Sequence, residues 1–398
     1  MKLTAQICAY LVRERLDERL CKQLISTLVE VGKRLQSTVR EADIVARLGG
    51  DEFAVIQEGG PNQHDGAIAL ARRIIDAVSQ PFDLYGNRAS VGISIGIVLA
   101  PEHETDPEGL LKRADLALYD AKANGRNDFR LFRNELLEIA DTQRAAEAEL
   151  REAIEREEFE LHYQPILDVK TRALCGVEAL VRWRHPTRGL ISPDKFVPLA
   201  EMTGLIDPLG EWILQRACAD AASWPSQVKL SVNISAIQFK AGYLFEVILR
   251  TLMQTGLSPD RLELEITETS LLENQEAHLT TIRQLKDLGI SMALDDFGTG
   301  YSSVNYLANF PFDKIKIDKS FTQGVLNRRD CKAVIASTLA LAQGLGTITT
   351  AEGVETEEQL EYLRTAGVDL VQGYLFGRPA PISQLALDGA RSPQGMVA

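Results

Sequence analysis

The chain has 398 residues, of which 45% are hydrophobic and 25% charged, with a formal net charge of −13 and a pI near 5.1. That length accommodates two domains and a large core, and the composition excludes a disordered or fibrous protein. The acidity excludes a general nucleic-acid binder that works by neutralising phosphates, although metals and a few placed cations can still hold a small phosphate ester.

The opening run, Met1-Lys-Leu-Thr-Ala-Gln-Ile-Cys-Ala-Tyr-Leu-Val, is too short an apolar stretch to be a signal peptide, and Arg13-Glu14-Arg15 follows too soon. No stretch approaches the ~20 apolar residues of a membrane span. Five scattered cysteines (Cys8, Cys21, Cys175, Cys218, Cys331) form no ligand pattern and predict reduced thiols in a cytoplasmic protein. Spacing predicts a helix over 21–38, a hairpin over 44–56 around Gly49-Gly50-Asp51-Glu52, and a helix over 67–78. A strand over 89–99, a helix over 107–124 and a strand over 129–132 complete a small α+β domain. Residues 134–158 have helical spacing, many charges and almost no turn residues, as a helical connector would.

Beyond it the apolar runs fall into a β/α rhythm. Strands are predicted over 159–167, 174–183, 228–235, 262–267, 291–297, 314–318, 348–352 and 371–376. Helices are predicted over 208–223, 243–255, 277–288, 331–345 and 356–366. Eight strands in about 250 residues match a TIM-like (β/α)8 barrel. Several strands end in acidic or polar residues, where such a barrel keeps its chemistry: Glu178, Asn233, Glu265, Asp295, Asp296, Lys316, Glu352 and Gln372. Carboxylates so gathered cannot all stay ionised unless something cationic sits among them. Oxygen ligands of this kind suit Mg²⁺ or Mn²⁺ better than zinc, and two such ions can activate a water for phosphodiester hydrolysis.

Glu178-Ala179-Leu180-Val-Arg182-Trp183 resembles the signature of EAL-domain cyclic-di-GMP phosphodiesterases. Tyr163-Gln164-Pro165, Pro198-Leu-Ala-Glu201, Val232-Asn233-Ile-Ser235, Glu263-Leu-Glu265-Ile-Thr-Glu268 and Asp295-Asp296-Phe-Gly-Thr-Gly-Tyr-Ser-Ser303 stand in the family's order. So do Lys316-Ile-Asp318, Ala351-Glu352-Gly-Val-Glu355 and Gln372-Gly373-Tyr374, so the similarity covers 145–385. The resemblance implies that Glu178, Asn233, Glu265 and Asp295 bind one metal, with Asp295 bridging to a second held by Asp296 and Glu352. It makes Lys316 the residue that positions the attacking water, and puts Gln164, Arg182, Glu355 and Gln372 against the substrate. Glu268 would brace the Asp296–Ser303 loop, which in the family lies near a homodimer contact made by the barrel. The implied reaction opens cyclic di-GMP to linear pGpG with Mg²⁺ or Mn²⁺, and Ca²⁺, larger and looser in geometry, should inhibit.

Arg47-Leu-Gly49-Gly50-Asp51-Glu52-Phe53 resembles the signature of GGDEF domains, which condense GTP into cyclic di-GMP. Ser94-Ile-Gly96 and Ala121-Lys122-Ala-Asn-Gly125-Arg126-Asn127 fit the same family, and Arg40-Glu-Ala-Asp43 matches its product-inhibition motif. Sliding the family pattern upstream from Arg40 puts Cys8 where the first metal aspartate belongs, Leu16 at the guanine-reading Asn, and Leu24-Ile25 at a Gly-Asp pair. A thiol and aliphatic chains cannot do those jobs, so the domain reads as truncated, degenerate and inactive as a cyclase. The expected organisation is therefore a GGDEF-like domain over 1–133, a helical linker over 134–158, an EAL barrel over 159–390 and a tail over 391–398. A receptor that holds cyclic di-GMP without hydrolysis is the alternative, but degenerate receptors of the family usually lose metal or lysine positions that this chain keeps.

Overall fold

Residues 2–9, 18–59, 62–84, 87–239, 243–268, 275–298 and 309–387 are described by the computed structural model. They divide between two units, Met1–Ala146 and Glu147–Ala398. The expected tail over 391–398 and the loop residues 299–303, Gly300 among them, lie outside the described residues.

The N-terminal unit contains β1 (Lys2–Ala9), α1 (Glu18–Thr38), β2 (Ile44–Gly49), β3 (Glu52–Glu58), α2 (Gln63–Ser79), β4 (Phe82–Leu84) and β5 (Asn87–Ala89). β6 (Ile93–Val98), α3 (Pro107–Ala123) and β7 (Phe129–Leu131) follow. Five strands form one sheet in the order β2-β3-β1-β6-β7. The central strand β1 was not anticipated, because its alternation Leu3-x-Ala5-x-Ile7 is brief and sits in an apolar run that does not end with it. Its backbone register sets Cys8 opposite Glu52. The strand expected over 89–99 is broken in two: Ala89 closes a β4–β5 hairpin and Ile93 enters the main sheet. At the break Asn127 Oδ1 accepts the Ile93 amide at 3.1 Å. Asp106 caps α3 by accepting the Gly109 amide, and Pro107 fits the first turn, which needs no donor.

α4 (Glu135–Glu155) leads into the barrel, whose core includes its Leu150 and Ala153. Glu149 near its end accepts from His185 Nε2 at 2.6 Å. The barrel strands are β8 (Phe159–Asp168), β9 (Leu174–His185), β11 (Lys229–Asn233), β12 (Leu262–Thr267), β13 (Ser291–Phe297), β14 (Lys314–Ile317), β15 (Ile348–Ala351) and β16 (Leu370–Gln372), with β10 (Gly189–Ile191) a hairpin arm on β9. β9 and β11 through β16 run parallel, while β8 pairs antiparallel with both β9 and β16 and closes the ring. The reversal follows from the connection: the turn after β8 is pinned by Asp168 Oδ1, which accepts the Lys170 and Thr171 amides, and leaves no room for a crossover helix. The helices are α5 (Val197–Thr203), α6 (Ile206–Ala222), α7 (Tyr243–Thr255), α8 (Gln275–Asp287), α9 (Lys319–Gly324), α10 (Arg329–Leu345) and α11 (Glu357–Ala366). α5 and α9 are too short to show periodicity in the sequence. The strand expected to reach residue 376 stops at Gln372, because Gly373 lies against the Val354 backbone and Leu375 donates its amide to the Val354 carbonyl.

Val177, Ala179, Leu230, Val232, Leu264, Ile266, Met292, Leu294 and Ile315 are buried in the barrel's main apolar cluster, with residues of α6 and α7. The residues between them, including Glu178, Ser231, Glu263, Glu265, Ala293, Lys314 and Lys316, belong to the opposite face of each strand and line the interior. Cys175, Cys218 and Cys331 are free thiols, and burial pushes that of Cys218 up to about 12. Among the described residues no helix is long and apolar enough to cross a membrane.

A Cβ on Gly96 would stand 2.1 Å from the Ala114 carbonyl oxygen and 2.4 Å from the Leu118 amide, where β6 packs on α3. Gly96→Ala should therefore destabilise the N-terminal unit by about 1–3 kcal/mol. Hydrogen exchange across 93–98 and 107–123 along a urea series would register the loss; parent-like protection would contradict the packing.

Candidate active site

The strand tips converge on Lys316, the third residue of β14, whose side chain is 1% exposed. Its Nζ lies 2.6 Å from Glu265 Oε2 and from Glu352 Oε1, 3.4 Å from Asp295 Oδ1 and 3.6 Å from Glu178 Oε2. These partners come from β12, the end of β15, β13 and β9, so the barrel's closure is what assembles them. Asn233 donates from Nδ2 to Glu178 Oε1 at 2.7 Å, and Gln372 donates from Nε2 to Glu178 Oε2 at 2.6 Å. Gln372 Nε2 also reaches Gln164 Oε1 at 3.1 Å, and Gln164 donates to the Gly377 carbonyl. The two glutamines assigned to the substrate in the sequence are thus buried and bonded to protein groups here.

Burial opposes the Lys316 charge, but Asp295, Glu178, Glu265 and Glu352 outweigh it and hold the ammonium well above the usual lysine range. Burial and the Glu178 charge hold Glu265 well above the ordinary carboxylate range. Burial raises Glu352 to about 8 against the pull of Lys316. Glu178 goes the other way: burial would raise it, but Lys316 and the amides of Gln372 and Asn233 bring it below the ordinary value. Burial and the neighbouring Asp295 push Asp296 up.

Asp295, Asp296 and Glu352 can each place a carboxylate oxygen within 4.8 Å of the others. A bulge in the β13–β14 pairing and a positive φ of 54° at Asp296 turn two consecutive aspartates toward one place. Glu265 Oε1 is buried without a hydrogen-bond partner. Several oxygen donors around one lysine, two of them pushed toward the neutral form and one with an orphaned oxygen, fit a hard divalent cation.

Glu268 Oε2 accepts the Gly298 amide at 3.2 Å, so it contacts the described start of the loop that follows Asp296. Arg182 is half-buried on β9 and donates to its neighbour's carbonyl, Val181. Glu355 is exposed; Gln323 donates to its carboxylate at 3.2 Å, and Gln359 accepts its backbone amide at 2.8 Å. Arg40 and Asp43 lie in an exposed turn of the other unit, where the Asp43 carboxylate accepts the Arg40 amide at 2.9 Å. Several contacts were not read from the sequence. Ser235 donates to Glu201 at 2.7 Å, linking two of the motif segments, and the buried Tyr163 hydroxyl donates to Asp220 at 2.8 Å. Lys314 and Glu263 form a further buried pair, which the period-two pattern Glu263-x-Glu265 and Lys314-x-Lys316 could have signalled.

Fold and site define a (β/α)8-type barrel with an acidic, lysine-centred cluster at the C-terminal ends of its strands. The chain belongs to the EAL domain family, which it matches over residues 147–379, and residues 26–128 match the diguanylate cyclase, GGDEF domain family. It is 39% identical over 362 residues to the bifunctional diguanylate cyclase/cyclic di-GMP phosphodiesterase MucR of Pseudomonas aeruginosa, covering 90% of this chain and 53% of that protein. It is 41% identical over 360 residues to the cyclic di-GMP phosphodiesterase NbdA of the same organism, covering 89% of this chain and 46% of that one. A solved structure described as the PaMucR phosphodiesterase in complex with c-di-GMP superposes with a TM-score of 0.59 at 41% identity, covering 61% of this chain and all of that one. The chain spans about half the length of the curated relatives it matches.

Lys316→Met removes the only cation within 4 Å of these carboxylates among the described residues. Glu265 and Glu352, already held above the ordinary carboxylate range, then rise further, so the folded state binds more protons and stability falls as pH rises. In metal-free buffer the variant should lose about 3–5 kcal/mol near pH 8 and regain part of it near pH 5, as measured by urea denaturation. A loss independent of pH would contradict this charge balance.

Proposed function

We propose that the barrel hydrolyses cyclic di-GMP to linear pGpG with two divalent ions, Mg²⁺ or Mn²⁺. The observation that carries this reading is the burial of Lys316 between Glu265 and Glu352, beside the Asp295–Asp296–Glu352 group, in a chain of the EAL family. Glu178, Asn233, Glu265 and Asp295 would hold one ion, and Asp295, Asp296 and Glu352 the other. When bound, the ions neutralise the phosphate and lower the pKa of the attacking water. Lys316 holds that water by donating to it and favours loss of its proton. Water oxygen adds to phosphorus, the bond from phosphorus to the 3′ oxygen breaks, and that oxygen leaves as a protonated hydroxyl, so the product carries a 5′ phosphate. Arg182 and Gln164 face the phosphates, with Gln372 supporting both Gln164 and Glu178. Glu355 accepts from the guanine edge, held for that role by Gln323 and Gln359.

On this reading the N-terminal unit is a GGDEF remnant without cyclase activity. In the register of its sheet, Cys8 stands opposite Glu52 of the Gly49-Gly50-Asp51-Glu52 hairpin, where metal-held GTP would need a carboxylate. The helix over 134–158 is the linker, and two copies pair through the barrel beside the loop after Asp296.

Glu178→Ala and Asp295→Ala should each abolish turnover of cyclic di-GMP while leaving the protein folded, and Ca²⁺ should inhibit the parent. Near-normal turnover in either variant would reject the site. The parent should give no cyclic di-GMP from GTP. Specific activity should fall as the protein is diluted from dimer to monomer, with sedimentation run beside kinetics; activity independent of concentration across that range would reject the coupling.

A further inference from the structure

Beneath the Lys316 cluster lies a second buried ion pair that the proposed chemistry does not touch. Lys314 Nζ donates to Glu263 Oε1 at 2.6 Å, and Ser231 Oγ donates to the same oxygen at 2.7 Å. The Lys314 and Glu263 side chains are 5% and 2% exposed. Each stands two residues before a member of the site on the same inner face: Glu263 before Glu265 on β12, and Lys314 before Lys316 on β14. β13 runs between those strands, and its Ala293 is in register with both Glu265 and Lys314. A methyl group at that point leaves space for the lysine to cross β13 and reach Glu263.

An ion pair is a poor filler for a core. An apolar pair of similar volume is often as stable or more so, whereas loss of one partner alone is strongly destabilising. Barrel interiors are ordinarily filled with branched apolar residues. Here the charged pair instead joins the two strands that carry Lys316 and Glu265, and it fixes their inner faces relative to each other. Ser231 extends the tie to β11, the strand that carries Asn233.

We propose that Ser231, Glu263 and Lys314 form a strut that positions the carboxylate of Glu265 and the amide of Asn233, beside Lys316, for divalent-metal binding. The strut residues are positioning residues, and the proposal rests on the metal-site reading above.

The test replaces the strut with apolar groups in the full chain, Ser231→Ala with Glu263→Leu and Lys314→Met. Mn²⁺ is titrated by calorimetry without cyclic di-GMP, beside thermal unfolding in metal-free buffer. The expected result is an unchanged or higher unfolding midpoint with Mn²⁺ affinity weakened by about tenfold or more, the range of outer-shell partners of metal ligands. Parent-like Mn²⁺ affinity in the folded variant would overturn the strut. Should the triple variant not fold, Ser231→Ala alone decides: a severalfold loss of affinity supports the strut and no loss overturns it. A parent that binds no Mn²⁺ overturns both the strut and the metal site. A parent that binds Mn²⁺ through an intact strut but leaves cyclic di-GMP uncut would sink the phosphodiesterase reading alone.

Discussion

One ammonium group sets the terms for the barrel's interior. Lys316 is enclosed by carboxylates from β9, β12, β13 and the end of β15, and a charge so deep is tolerated only because they surround it. The converse also holds, since the carboxylates outnumber the lysine and cannot all be ionised beside it. The structure carries that imbalance in Glu265 and Glu352, both pushed toward the neutral form, and in Asp296 beyond them. On the proposed reading that imbalance and the unpartnered Glu265 oxygen would favour bound cations, which Asp295, Asp296 and Glu352, with carboxylate oxygens within 4.8 Å of one another, would help to hold.

The strand alternation makes this arrangement compatible with a stable fold. Apolar residues face the helices and form the main core, so the barrel does not depend on its interior for hydrophobic burial. Polar and small residues can then occupy the inner positions in layers. The single reversed strand, β8, adds Gln164 to the same interior, where the Gln372 bond ties it to Glu178.

The sequence revealed the barrel's rhythm and its strand-tip acids because both are local patterns: apolar runs ending in Asp, Glu, Asn or Lys. The ordered motif series carried the family. What stayed hidden depends on closure or on turns. The reversal of β8 is decided by the short turn at Asp168, and the early end of β16 by close packing of Gly373 on Val354. β1 was missed because its alternation is brief, yet it occupies the centre of its sheet. The engagement of Gln164 and Gln372 with protein groups, and the pairing of Ser235 with Glu201, join residues far apart in the chain that no spacing connects.

The most direct test is to incubate the purified chain with cyclic di-GMP and Mg²⁺ or Mn²⁺, with an EDTA control, and to separate the products by chromatography. Linear pGpG that forms with metal and disappears with EDTA is the predicted result. Tight binding of cyclic di-GMP with no product under either metal would contradict the account and make the barrel a receptor.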